Sequence, residues 1–210
     1  MQLYAAKQLD YGLDDNFPIL ACNHCYGYAQ TSVGRNSFLN DLYDGGNYDL
    51  KESGFRRLVR PVLDFFERIK ASRLYRLTGG GRLLEVGCGK GRFLIAAKKI
   101  GFNVFGIEPS KRSYRFAEKQ LGDKISKSDL SEYAQSHQGS FDVIVLWHVF
   151  EHIACPSQTL DLLRSLLSKK GLLVLAVPNW GSFQSQIGRQ SWYHLDPPRH
   201  LHLFAPNGLR

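Results

Sequence analysis

The chain has 210 residues, 43% hydrophobic and 22% charged, which fits a globular domain with a buried core and excludes a disordered or low-complexity chain. No stretch reaches the roughly 20 apolar residues of a membrane-spanning helix. The longest apolar run, Phe141 to Phe150, is broken by Asp142 and His148. Met1 to Asp10 lacks the basic start and apolar run of a secretory signal, so the expected compartment is the cytoplasm. The net charge of +8 is concentrated in residues 51–125, which hold 18 basic against 7 acidic side chains. Those cations, among them Arg56, Arg57, Lys98, Lys99, Lys111 and Arg112, alternate with apolar residues at helical spacing. They read first as solvated helix faces and second as a surface that steers polyanions.

The first 50 residues are aromatic and loop-like, with turn signals at Asn23, Gly34 and Gly45-Gly46. Cys22 and Cys25 form a C-x-x-C pair, but a structural zinc site needs four ligands and no second pair follows. The pair therefore reads as two ordinary thiols, or as the remnant of a zinc ribbon. From Phe55 to Leu77 the apolar residues recur at three- and four-residue steps, which predicts an amphipathic helix stopped by Gly79-Gly80-Gly81. Short apolar runs then alternate with helical patterns. Strands are expected at Arg82 to Val86, Asn103 to Ile107, Lys124 to Lys127, Phe141 to Trp147 and Gly171 to Val177. The intervening helices are expected at Arg92 to Ile100, Ser110 to Leu121 and Ser157 to Leu167. That alternation implies a parallel sheet with right-handed crossovers. The expected organisation is a loop-rich cap segment over residues 1–54, followed by an α/β domain over 55–210.

The chemistry-bearing feature is the strand, glycine turn and helix at Glu85-Val86-Gly87-Cys88-Gly89-Lys90-Gly91. Residues without Cβ let a ligand lie against the main chain. Glu108 ends the second strand, where a carboxylate can accept hydrogen bonds from both hydroxyls of a ribose. Both acids fall at the carboxyl ends of strands, where ligands of open α/β sheets bind. A lone G-x-G would be a weak signal.

More context follows from five motifs in order. Leu84 to Phe93, LEVGCGKGRF, resembles motif I of class I S-adenosylmethionine-dependent methyltransferases. Val104 to Ser110, VFGIEPS, is similar to their second-strand motif with its ribose acid. Ser128-Asp129-Leu130 resembles the turn after the third strand. Phe141 to Ile153, FDVIVLWHVFEHI, resembles the fourth strand with its trailing E-H pair, and Gly171 to Asn179, GLLVLAVPN, the fifth. Trp192 to Phe204, WYHLDPPRHLHLF, is similar to a loop in the group that includes the ubiquinone-biosynthesis O-methyltransferases. The resemblance covers roughly residues 55–205.

It implies a Rossmann-like, doubly wound sheet of order 3-2-1-4-5 with S-adenosylmethionine as cofactor. Glu85, Gly87, Cys88 and Gly89 would meet the methionine portion, Glu108 the ribose, and Asp129 with the Leu130 backbone the adenine, with Gly91 also in the cofactor-binding turn. Main chain at Trp147 and His148 would receive the methionine ammonium. The implied reaction is methylation of a small-molecule acceptor, with oxygen as the favoured atom and nucleic acid as the runner-up acceptor. A hydroxyl nucleophile calls for a base that titrates near neutrality. Of His148, His152, His194, His200 and His202, the choices are His148, at the end of the fourth strand, and His200, in the lid-like loop after the fifth.

Two patterns read as decoys. His148-Val149-Phe150-Glu151-His152 matches the H-x-x-E-H of inverted zinc peptidases but begins at a buried strand's end instead of on a helix. No metal-ligand set is assigned, although the resemblance to ubiquinone-pathway enzymes allows a divalent metal at Glu151 and His152. Asp196-Pro197-Pro198-Arg199 is similar to the D-P-P-Y of nucleic-acid amino-methyltransferases, but it follows the fifth strand and lacks the aromatic. Tyr43, Tyr48, Trp180, Trp192 and Tyr193 are expected walls of the acceptor pocket. Residues Leu203 to Arg210 read as the start of a helix. The antiparallel strands that close the sheet in this class are expected to be missing. The fifth strand would then be an open edge prone to self-association, and the chain could be a non-catalytic cofactor-binding fragment.

Overall fold

The computed structural model describes residues 2–7, 16–22, 24, 27–31 and 54–209. These fall into two compact units, each drawn from separated stretches of chain.

The larger unit, Leu42–Trp147 with Ser157–Leu175, carries the parallel sheet. Helix α1 (Gly54–Thr78) leads into β4 (Arg82–Val86), α2 (Arg92–Ile100), β5 (Asn103–Ile107), α3 (Lys111–Leu121), β6 (Ile125–Ser126), α4 (Leu130–Ser136) and β7 (Phe141–Trp147). Helix α5 (Pro156–Leu166) and β8 (Leu167–Ala176) complete the run, and the strand order is β6-β5-β4-β7-β8. That is the expected 3-2-1-4-5 arrangement, with β4 parallel to both β5 and β7. Leu83, Leu94, Val104, Val143 and Val145 form its buried centre, and α1 adds Ala71 and Leu74. Gly106 lets α2 lie close on the sheet, because a Cβ there would stand 2.7 Å from Leu94 Cδ1 and 2.8 Å from Cys88 Sγ. The first half of the apolar stripe expected on α1 is not buried among the described residues, where Val62, Leu63 and Phe66 are exposed.

Two local features differ from expectation. Strand β8 starts four residues before Gly171, with Ser168 donating from Oγ to Asp142 Oδ1 at 3.2 Å. Asp142 Oδ2 also accepts from the Arg82 backbone at 2.9 Å, so an acid that interrupts an apolar run serves to tie strand starts together. Helix α4 continues the turn expected at Ser128-Asp129-Leu130: Asp129 caps it and Glu132 stands three residues on, a D-x-x-E start signature.

The smaller unit, Met1–Asp41 with His148–Pro156 and Ala176–Arg210, carries an antiparallel sheet. Its order is β1 (Gln2–Lys7), β2 (Asn16–Ala21), β3 (Tyr28–Thr31) and β9 (His202–Phe204). The loop-like reading of the first 50 residues is therefore corrected by three strands. Their two-residue alternation is short: Phe17 and Ile19 are buried beside exposed Leu20, and Ala29 and Thr31 flank exposed Gln30. The partner of β3 is also far along the chain, with Ala29 opposite Leu203. Neither fact is visible in a local pattern. The helix expected from Leu203 is corrected too, since strand β9 runs to Phe204 and only a short 3₁₀ turn follows at Pro206–Leu209. Ile19, Ala29, Trp192, Leu195 and Leu203 make this unit's core, and α6 (Phe183–Gly188) belongs to it.

Candidate active site

In the parallel-sheet unit the glycine turn is fastened at both ends. Gly87 and Cys88 donate their backbone N–H groups to Ile107 O at 2.8 and 3.1 Å, tying the turn to the end of β5. Glu108 Oε2 accepts from Gly89 N at 2.7 Å, and its Oε1 accepts from Ser110 N at 2.9 Å. Gly89 has φ 55, and a Cβ there would meet nothing within 4 Å, so the turn presents bare backbone to open space. Gly91, also at positive φ, precedes α2 as its N-terminal cap.

Glu85 lies behind this turn, 5% exposed, with Oε2 buried and lacking a hydrogen-bond partner. Burial pushes its pKa well above the usual carboxylate range; Glu67 adds to the shift and Lys70 opposes it. Burial also raises Glu108, against the hydrogen bonds from Ser110 and Gly89. Cys88 Sγ is driven far up by burial and by the same two acids, so it is an inert thiol that packs. Trp147 ends β7 with its ring edge-on to Phe93, centroids 5.3 Å apart. Glu67 and Lys70, absent from every motif, join the site from α1. As charged residues on an amphipathic helix they had no pattern to distinguish them from solvated surface.

Asp129, in the turn after β6, caps the helix that follows. Its Oδ1 accepts from Glu132 N at 2.8 Å and from Ser131 Oγ at 2.7 Å, capping α4, and those bonds lower its pKa. Leu130 is the first residue of that helix.

The histidines gather in the antiparallel-sheet unit. His148 is the residue after β7, at φ 55, with an exposed ring whose Nδ1 lies 3.5 Å from Glu151 Oε1. Glu151 is 1% exposed. Burial works to raise its pKa, but His148 beside it and the nearby His152 and His200 outweigh that and the net direction is down. His200 is buried; its Nδ1 donates to His194 O at 2.7 Å and its Nε2 lies 3.9 Å from both Glu151 Oε1 and Asp196 Oδ2. His152 Nδ1 donates to Arg199 O at 2.9 Å, and burial together with His200 lowers its pKa. Donor atoms of Glu151, His152 and His200 lie within 4.8 Å of one another, a set whose chemistry suits a divalent cation. The resemblance points to Glu151 and His152, and the fold adds His200, which the sequence marks only as a candidate base. His202 Nδ1 meets Tyr28 OH at 2.6 Å across the β3–β9 pairing.

Arg199 forms an ion pair with Asp196, both nearly buried, which gives the D-P-P-R segment a structural role in this unit. Trp192 is core, 6% exposed with its ring tilted against that of Trp180, so its expected place as a pocket wall is corrected; Tyr193 is exposed. Tyr43, Tyr48 and Cys25 lie outside the described residues, while Cys22 N donates to Tyr28 O at 2.9 Å.

An orphaned buried carboxylate oxygen near the end of one strand, bare glycine backbone after it, and a second acid at the end of the neighbouring strand lie at the carboxyl ends of β4 and β5, where ligands of open α/β sheets bind. A family model described as "Methyltransferase domain" matches residues 50–210, and the chain belongs to that family. Over 105 residues it is 30% identical to a ubiquinone biosynthesis O-methyltransferase of Caulobacter sp. (strain K31), a match covering 48% of this chain and 42% of that one. A protein of the same description from Cereibacter sphaeroides is 30% identical over 129 residues, covering 59% and 52%. The chain thus spans about half the length of the curated relatives it matches. A solved S-adenosylmethionine-dependent methyltransferase from Archaeoglobus fulgidus is 28% identical with TM-score 0.55, covering 68% of this chain and 65% of that one. No helix among the described residues is long and apolar enough to cross a membrane.

Proposed function

We propose that this chain binds S-adenosylmethionine and methylates an oxygen of a small-molecule acceptor. The observation that carries the reading is the link from Glu108 to the bare backbone of Gly89, beside the orphaned oxygen of Glu85. Glu108 would turn toward the ribose hydroxyls, Gly87, Cys88 and Gly89 would lie against the methionine portion, and Glu85 would answer its positive charge. Asp129 and Leu130 backbone remain the groups for the adenine edge, and main chain at Trp147 for the ammonium. When bound, the cofactor supplies a methyl group on a sulfonium, a good leaving group as the thioether. What the protein adds to such a displacement is alignment and exclusion of water.

Oxygen is favoured by the ubiquinone-biosynthesis O-methyltransferases among the relatives, and by a side-chain pair able to take a hydroxyl proton. His148 Nδ1 lies 3.5 Å from Oε1 of buried Glu151, and a proton on Nδ1 facing that carboxylate would leave Nε2 as the basic atom of an exposed ring. Glu151 fixes that tautomer and stabilises the imidazolium that forms. His200, buried and bonded through Nδ1 to a backbone carbonyl, is assigned to support of Glu151 and not to contact with the acceptor.

The test is transfer of a labelled methyl group from the cofactor to a panel of catechols, phenols, small carboxylic acids and one structured RNA. Label on an oxygen of a small molecule is the expected result. Label in RNA alone overturns the acceptor class, and tight cofactor binding with no transfer to any acceptor overturns turnover by this chain.

A further inference from the structure

We infer that Lys70 and Glu67, three residues apart on α1, are the clamp for the α-amino-acid end of the cofactor, with Lys70 taking its carboxylate. The inference rests on the reading of the Glu85–Glu108 site as the S-adenosylmethionine site. Lys70 Nζ lies 2.7 Å from Glu67 Oε2, and 4.9 Å from the Trp147 ring centroid and 5.9 Å from that of Phe93. An ordinary ion pair of this spacing on a helix contributes little and faces water. This one is only partly exposed: Glu67 Oε2 is buried and Lys70 Nζ lies over the Trp147 and Phe93 rings, with buried Glu85 close enough for both charges to act on it.

Charge decides what the cluster lacks. Glu67 and Glu85 are two carboxylates sharing one ammonium in a desolvated place, and Glu85 Oε2 is left without a hydrogen-bond donor. A zwitterionic amino acid brings both missing partners. Its ammonium supplies a cation to the surplus carboxylate, and its carboxylate takes over the Lys70 ammonium now held by Glu67. The Trp147 and Phe93 rings lie beneath that ammonium and hold it by attraction to their faces. The empty-site pairing of Lys70 with Glu67 keeps the lysine charged and oriented until the exchange.

The experiment compares binding of S-adenosylhomocysteine, which carries the α-amino acid, with 5′-methylthioadenosine, which lacks it. Calorimetric titrations are run on the full chain, on Lys70→Met and on Lys70→Gln. Loss of a charge-assisted contact weakens binding of S-adenosylhomocysteine by about tenfold or more in either variant. Affinity for 5′-methylthioadenosine is expected to stay unchanged. Equal losses for both ligands would make Lys70 a merely structural residue and overturn the inference, as would unchanged binding of both. If the unsubstituted chain binds 5′-methylthioadenosine and S-adenosylhomocysteine equally, the clamp is wrong while the adenosine site stands. If it binds neither, the cofactor reading itself fails. Should Lys70→Met not fold, its unfolded far-ultraviolet spectrum identifies that outcome and Lys70→Gln, which preserves a polar contact to Glu67, carries the comparison.

Discussion

Glu108 Oε2 accepts a hydrogen bond from the backbone of Gly89 at 2.7 Å, so the second strand-end acid also holds the glycine turn in place. The two roles make separable demands. Glu108→Ala removes the ribose acceptor and the anchor of the turn together, and its affinity for S-adenosylhomocysteine should fall by roughly 10- to 100-fold, the equivalent of about 1.5–3 kcal/mol. Glu108→Gln keeps one acceptor for Gly89 N and should lose less. Titration calorimetry on both variants measures this, and undiminished affinity in the alanine variant rejects the ribose assignment.

Two glycines at this site should fail in opposite ways. At Gly106 an added Cβ meets Leu94 Cδ1 at 2.7 Å, Cys88 Sγ at 2.8 Å and Ile125 Cδ1 at 2.9 Å. Gly106→Ala therefore overpacks the helix–sheet contact, at a cost of about 1–3 kcal/mol. A melting temperature lower by about 2–4 °C per kcal/mol is the expected signature in a chain of this size. Gly89 has open space around its missing Cβ but φ 55, so Gly89→Ala adds only roughly 1–2 kcal/mol of backbone strain. Its larger effect should be on cofactor affinity, because the methyl group stands where the ligand approaches. Melting curves and binding isotherms on the same two proteins separate the cases, and a Gly89→Ala chain with full affinity would show the ligand lies elsewhere.

What could be read from the chain follows the reach of each signal. Strands β4, β5 and β7 and helix α2 lie within the residues expected of them because each is a local apolar run closed by glycine or a charged residue. The glycine turn and its two acids were legible for the same reason, since their spacing is a property of consecutive strands. The antiparallel sheet was not, because β3 pairs with β9 across most of the chain and its strands alternate over only a few residues. Glu67 and Lys70 escaped because an i,i+3 charge pair on a helix looks the same whether it faces water or a buried acid. His200 was chosen for its place in a loop, and only the fold shows that its ring is buried against Glu151.

Glu85 sets binding against stability. Its pKa is raised, by burial first and Glu67 second, so the folded chain holds that proton more tightly than the unfolded chain does. Such a carboxyl favours folding below its ordinary value of about 4.3, and that contribution is lost as pH rises through the folded pKa. Above that ordinary value the raised pKa counts against folding, and Glu85→Gln removes the penalty. The variant should melt higher than the parent at pH 7–8, by about 2–4 °C for each kcal/mol relieved. The gap should close as pH is lowered toward 4, while S-adenosylhomocysteine binds more weakly throughout. A variant that melts lower at neutral pH would mean that Glu85 is satisfied in the folded chain and is no desolvated acid.

His148 and Glu151 should behave as one catalytic unit. His148 Nδ1 faces Glu151 Oε1 at 3.5 Å, and the carboxylate is buried where no acceptor molecule needs to touch it. If the imidazole takes the acceptor's proton and the carboxylate only orients it, the value of Glu151 depends on His148 being present. Each of His148→Gln and Glu151→Gln should lower kcat by about 100-fold, within the usual contribution of general-base catalysis. The double variant should be no slower than the worse single one, because losses within a unit do not add. Cofactor affinity in Glu151→Gln should hold, since the carboxylate is assigned to no cofactor atom. Single-turnover rates with saturating labelled cofactor measure the cycle. Additive losses would separate the two residues, and a kcat untouched in His148→Gln would remove the histidine from the chemistry and leave alignment of the acceptor as the source of the rate.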